Sequence, residues 1–138
     1  MEKIKEAYID SNVFIHATIS DKVEGQAAIK ILQDIVSRNI TAFTSVLTFD
    51  EVFWKIKKLS SVEDALERTR DFLVFPNLIF LDVKLETIAK AHELIKQYSL
   101  DPRDAIHAAS CLLNNIKIII SEDPHFDKLD FLKRKPIR

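Results

Sequence analysis

Four short apolar runs, Ile4 to Ile9, Ile40 to Thr44, Leu78 to Asp82 and Lys117 to Ser121, are separated by stretches whose apolar residues recur at helical spacing. Runs of this length read as strands buried on both faces, as in a parallel sheet. The stretches between them supply the crossovers. Val23, Ala27, Ala28, Ile31, Leu32, Ile35 and Val36 fall on one side of a helix, as do Phe49, Val52, Phe53, Ile56 and Leu59. A third helix opens on Ser61-Val62-Glu63-Asp64, in the manner of a capping box, and Pro76 stops it. Leu85, Ile88, Ala91, Ile95 and Tyr98 mark a fourth, and Asp101-Pro102 starts a fifth as an N-cap followed by proline. This order predicts an α/β fold, a three-layer α/β/α sandwich around a central parallel sheet of four to five strands. The chain has 138 residues, and residues 1–138 are expected to form a single domain.

Composition removes several function classes. No apolar run approaches the roughly 18 residues of a membrane span, and Met1-Glu2-Lys3-Ile4-Lys5-Glu6 mixes charge signs unlike a secretory leader. A cytoplasmic protein with no membrane partner is expected. The single cysteine, Cys111, lies in an alanine-rich helical pattern and reads as a buried thiol. One glycine, Gly25, is too few for the phosphate-cradling loops of P-loop or dinucleotide-binding folds. The four histidines show no zinc-ligand spacing. A formal net charge of -1 offers no global attraction for nucleic acid. The basic tail Lys133-Arg134-Lys135-Pro136-Ile137-Arg138 reads as a solvated terminus.

Four acids stand beside apolar segments instead of on solvated faces. Asp10 ends the first run, Glu51 follows the second, Asp104 falls in the first turn of the alanine-rich helix, and Asp123 follows Ile118-Ile119-Ile120-Ser121. Each has a plainer reading as a cap, a turn residue or a complement to a helix dipole. Asp50 competes with Glu51, and Glu122 and Asp127 compete with Asp123. Jointly they say more, because ligands of open α/β sheets collect outside the carboxyl ends of the strands. Carboxylates held about 4 Å apart repel by about 4 kcal/mol per pair at an effective dielectric near 20. No lysine or arginine neighbours Asp10 or Asp123 in sequence, so a hard cation such as Mg²⁺ or Mn²⁺ is expected among them. Ser11 and Asn12 are candidates to support Asp10 by hydrogen bonds. His107, one turn after Asp104, could orient that acid, but it reads first as a partly buried helix histidine and is left out of the site. Trp54, Lys55, Lys57 and Lys58 have the aromatic and basic character of single-stranded nucleic-acid contacts, although a core or interface tryptophan beside a solvated lysine face accounts for them better.

The segments Asp10-Ser11-Asn12-Val13-Phe14-Ile15, Ser45 to Val52, Arg103-Asp104-Ala105-Ile106-His107-Ala108-Ala109 and Ser121-Glu122-Asp123-Pro124-His125-Phe126-Asp127 together resemble the PIN-domain nucleases in order and spacing. The small size is similar to that of the toxins of VapBC-type toxin–antitoxin pairs. The resemblance implies a metal-dependent endoribonuclease that hydrolyses RNA phosphodiester bonds with Mg²⁺ or Mn²⁺. Asp10, Glu51, Asp104 and Asp123 match its acidic quartet one by one, and Ser121 its assisting hydroxyl residue. A homodimer and a cognate antitoxin protein follow from the same resemblance. Two other readings keep the fold: an inactive RNA-binding or protein-interaction module, and a housekeeping RNA-processing nuclease. A receiver-like domain with Asp82 as phosphoryl acceptor fits poorly. It wants an acidic pair after the first strand and a lysine after the last, where Ser11 and Glu122 stand.

Overall fold

Five strands, β1 (Glu6–Ile9), β2 (Thr41–Ser45), β3 (Leu78–Leu81), β4 (Ile118–Ile120) and β5 (Lys133–Lys135), form one sheet in the order β3-β2-β1-β4-β5. Every pairing is parallel. Six helices flank it: α1 (Ser11–Ile19), α2 (Val23–Val36), α3 (Val46–Leu59), α4 (Val62–Leu73), α5 (Leu85–Tyr98) and α6 (Pro102–Leu113). The computed structural model describes residues 4–20 and 22–138, and the charged start Met1-Glu2-Lys3 lies outside them.

Strand alternation sends successive side chains to opposite faces. In β1, Ala7 and Ile9 therefore enter a core with Val13, Phe14, Ile35, Val52, Ile56 and Phe72 from α1 to α4. Tyr8 enters a second core with Ala91, Leu94, Ala105, Ala108 and Phe126, on the α5 and α6 side. The register puts Tyr8 beside Phe43 on one side and Ile119 on the other. The three-layer expectation holds. Cys111 is fully buried in the second core.

Several local signals act as read. Ser61 accepts from Asp64 N at 3.0 Å, and Pro102 opens α6. Others differ. Thr48, at capping-box spacing from Glu51, lies inside α3, and its hydroxyl pairs with Thr44 Oγ1 at 2.7 Å while Ser45 occupies the N-cap. Residues 11–19, for which no helix is read from the sequence, form α1, with Asp10 as N-cap. With glycine so scarce, the left-handed positions fall to Arg38, Asn77, Ser99 and Asn115.

The C-terminal tail is not a solvated end. Lys133–Lys135 is the edge strand β5, tied to β4 by Lys133 N to Lys117 O at 2.9 Å and Ser121 N to Lys135 O at 3.0 Å, and Ile137 is buried. A lysine-rich strand carries no apolar alternation, yet suits an edge, where charge blocks further pairing. Its register is held by backbone hydrogen bonds that leave no mark in a hydropathy pattern.

Gly25 in α2 meets the end of α1, and a β-carbon there would lie 1.9 Å from Ser20 O and 3.1 Å from His16 O. No side chain fits without backbone movement. Gly25→Ala is expected to destabilise the protein by about 1–3 kcal/mol, as overpacking does, read as a lower urea midpoint with unchanged slope.

Candidate functional site

The ends of β1, β2 and β4 meet at the carboxyl edge of the sheet, and the acids arrive there from different elements. Asp10 follows β1 directly. It is 5% exposed. One of its oxygens, Oδ1, accepts from Ser11 N at 2.7 Å, which is the cap of α1. The other, Oδ2, accepts from Ser121 Oγ at 2.6 Å and from Asn12 Nδ2 at 3.4 Å. Asp10 therefore caps α1 with one oxygen while its other oxygen is held from the end of β4 and from α1. Ser11, Asn12 and Ser121 all lie on Asp10, as a support role requires. Among the described residues, Asn12 Oδ1 is a buried polar side-chain atom without a hydrogen-bond partner.

Glu51 comes from α3 and Asp104 from the first turn of α6. His107, a turn further along α6, stands between Glu51 and Asp10: its Nε2 lies 2.5 Å from Glu51 Oε1 and 3.7 Å from Asp10 Oδ1. It is fully buried. Its Nδ1 lies 2.6 Å from the Tyr8 hydroxyl, which donates to Ser45 Oγ at 2.8 Å. A carboxylate only accepts, so Nε2 carries a proton, and the acids around the ring favour the positive imidazolium. Burial opposes that charge, but Tyr8, the hydrogen bond to Glu51 and the charge of Asp10 outweigh it and raise the pKa well above the ordinary histidine value. The expectation of acids without a matching base is corrected here: the base is His107.

The outer acids are arranged differently. Asp123 follows β4 and caps the short 3-10 helix Pro124–Lys128, accepting from His125 N at 2.9 Å, while Ser121 Oγ accepts from Asp123 N at 3.0 Å. His125 Nδ1 lies 3.0 Å from Asp123 Oδ1 and 3.5 Å from Asp104 Oδ2. Burial, and then the charge and hydrogen bond of Asp123, lift the Asp104 carboxyl to about 6. Asp10 is pushed upward as well, chiefly by burial, with His107 and Ser121 pulling the other way.

The four acids do not converge on one tight donor set, as had been expected. Donor atoms of Asp10, Glu51 and His107 lie within 4.8 Å of one another, and those of Asp101, Asp104 and His125 form a second such trio. A cleft of about 510 Å³ is lined by Glu51, Asp101, Arg103, Asp104, Asp123 and His125. The competing acids are engaged elsewhere. Asp50 faces Arg103 at 3.4 Å, Glu122 pairs with His16 at 3.0 Å, and Asp127 takes two 2.9 Å bonds from Arg134. Arg134 also donates to Ser121 O at 3.1 Å, so β5 braces the loop that carries Asp123. Trp54 is half-exposed, with Lys58 Nζ 4.9 Å from its ring centroid, and is not a core residue. Asp82, the receiver-like candidate, lines a separate cleft with Phe80, Lys84 and Leu113.

Residues 7–132 match the PIN domain family. The chain belongs to that family. Ribonuclease VapC2 of Methanocaldococcus jannaschii is 28% identical to this PIN domain over 138 aligned positions, which take in 91% of this chain and 90% of the relative. Among solved structures, VapC20 of Mycobacterium tuberculosis, a Sarcin-Ricin loop cleaving toxin, superposes with a TM-score of 0.76 at 12% identity, covering 92% of this chain and 97% of that one. VapBC2 from Rickettsia felis, solved bound to a promoter DNA fragment, gives 0.73 at 16% identity over 95% and 98%. Both structural likenesses establish the PIN fold. No helix among the described residues is long and apolar enough to cross a membrane.

Sequence reading left His107 out of the site, took Arg134 for part of a solvated tail and passed over Tyr8. For Tyr8 and His107 a signal existed: a tyrosine in a buried strand and a histidine on a buried alanine face each need a hydrogen-bond partner.

The raised Asp104 pKa has a signed consequence for stability. The fold favours the protonated carboxyl, so this contribution is full below the ordinary value of 3.8 and is lost as pH rises through about 6. In chelator, Asp104→Asn is expected to melt higher than the unsubstituted protein at pH 7.5, with the gap closing toward pH 5, measured by thermal denaturation across that range.

Proposed function

We propose that this PIN domain is a metal-dependent endoribonuclease that hydrolyses phosphodiester bonds of RNA. The observation that carries the reading is the gathering of Glu51, Asp104 and Asp123 along one cleft, beside the buried Asp10. Like-charged groups gathered in this way, with carboxylate oxygens as donors, fit a hard divalent cation. Family membership and the likeness to a VapC ribonuclease support RNA as the substrate class.

Asp10, Glu51, Asp104 and Asp123 would hold Mg²⁺ or Mn²⁺, with Ser11, Asn12 and Ser121 keeping Asp10 in place. When bound, such an ion supplies Lewis acidity toward the phosphate and lowers the pKa of a water molecule. The protein contributes orientation and charge. Asp10 is fixed by three hydrogen-bond donors and Glu51 by His107, while Asp104 and Asp123 are the acids nearest the open cleft. Asp127 is held by Arg134 and takes no part beyond bracing the loop. Arg103 and the half-exposed Trp54 with Lys58 supply positive charge and an aromatic face near Asp104 and Glu51 in sequence, of the kind that single-stranded RNA contacts use. In the cell the chain acts in the cytoplasm as one domain over residues 1–138. It is the toxin of a toxin–antitoxin pair, a homodimer whose activity a cognate antitoxin holds in check.

Cleavage of a single-stranded RNA panel is expected with Mg²⁺ or Mn²⁺ and to vanish in EDTA. Asp10→Asn and Asp104→Asn are each expected to slow it by about 100-fold or more, the scale of losing one charge-stabilising group at a reaction centre. Cleavage that survives chelation or both substitutions would sink the proposal. Binding of RNA without cleavage by the unsubstituted protein would favour the inactive module.

A further inference from the structure

Behind the acids lies a buried polar chain that the proposed reaction does not by itself require. It runs from Ser45, the N-cap of α3, through the Tyr8 hydroxyl in β1 to His107 in α6, and ends on Glu51 in α3. Tyr8, Ser45 and His107 are all fully buried, in a region otherwise lined by Ala105, Ala108, Ala109 and Cys111. An unsatisfied polar group in such a place costs about 1–3 kcal/mol. A leucine or phenylalanine at either position would pack without that risk.

We infer that His107 is a positioning residue of the acidic site, anchored by Tyr8 and Ser45 and setting the place of the Glu51 carboxylate relative to Asp10. The inference rests on the metal-nuclease reading. Its support is geometric. Both ring nitrogens are engaged, Nδ1 by Tyr8 and Nε2 by Glu51, so the ring cannot flip without losing a bond. The Tyr8 ring meets the imidazole edge-on, with centroids 5.4 Å apart and planes at 65°, which fixes the ring from the side as well. A chain of contacts through three elements of the fold thus ends on a single carboxylate oxygen, Glu51 Oε1. With that oxygen held from the buried side, the other oxygen of Glu51 is left for the cleft, and the Glu51 side chain keeps 18% of its surface exposed. A groove-facing glutamate on a helix is otherwise free to swing through several rotamers, and a donor set with one free arm binds an ion more weakly.

The test is Mn²⁺ binding without RNA, by isothermal titration calorimetry, on wild type, His107→Leu, His107→Gln and Tyr8→Phe, with melting in EDTA as a check on folding. Loss of a group that orients ligands costs about 10–100-fold in metal affinity, and that weakening is expected for His107→Leu. His107→Gln, whose amide can still donate to Glu51, recovers most of it, and Tyr8→Phe falls between. Packing alone would lower the melting temperature and leave affinity untouched. Wild-type affinity in His107→Leu, or equal weakening in the Leu and Gln variants, overturns the inference while the metal reading stands. No Mn²⁺ uptake by wild type overturns both. Should His107→Leu not fold, Tyr8→Phe decides: weaker binding supports the inference, and unchanged binding overturns it.

Discussion

A buried carboxylate at the end of the central strand constrains everything around it. Asp10 follows β1, whose neighbours are β2 and β4, and its own backbone N–H donates to Ile120 O at 3.1 Å. Water cannot solvate it at 5% exposure. A lone ionised carboxylate in such a place would neutralise itself. Here it is met by the Ser11 amide, the Ser121 hydroxyl, the Asn12 amide and, at 3.7 Å, the His107 ring. These donors come from both ends of the chain. The loop after β4 must reach β1, β5 must brace that loop through Arg134, and α6 must pack closely enough to insert His107. The alanines at 105, 108 and 109, all fully buried, make that close approach possible.

Charge divides the acids into two classes. The inner pair, Asp10 and Glu51, has a resident cation in His107. The outer pair, Asp104 and Asp123, has only His125, whose side chain is 55% exposed and weakly coupled through solvent. Repulsion of the order of 4 kcal/mol for close carboxylates at an effective dielectric near 20 is therefore compensated from within for the inner pair and left open for the outer one. The lifted pKa of Asp104 is the visible result.

Much of the architecture was legible because burial writes itself into hydropathy. The four apolar runs became β1 to β4, and the helical patterns became α2 to α6. Asp10 and Asp104 stood out because an acid beside an apolar strand, or in the first turn of an alanine-rich helix, has few reasons to be there. Other parts left weaker traces. β5 is Lys133-Arg134-Lys135, an edge held by backbone bonds, and backbone bonds have no residue preference to read. The division of labour among Glu122, Asp123 and Asp127 was undecidable in sequence, because it depends on where His16 and Arg134 lie in space. His107 was visible but misjudged: its partners, Tyr8 and Glu51, stand 99 and 56 residues away.

That last failure has a physical cause worth following. A count of bases next to acids along the chain treats sequence distance as a proxy for Coulomb energy, and a parallel α/β fold breaks the proxy. Each crossover carries the chain back to the start of the next strand, so every strand-end residue meets residues from other crossovers and few from its own. Charge balance at the carboxyl edge is thus a property of the topology. The same topology lets one histidine serve two acids from separate segments, where a lysine beside either would serve only one. An imidazole also suits the place better than an ammonium, because its second nitrogen can be tied down. A flexible lysine in that spot would neutralise Glu51 without fixing it, and a site made of acids needs its ligands still as much as it needs them balanced.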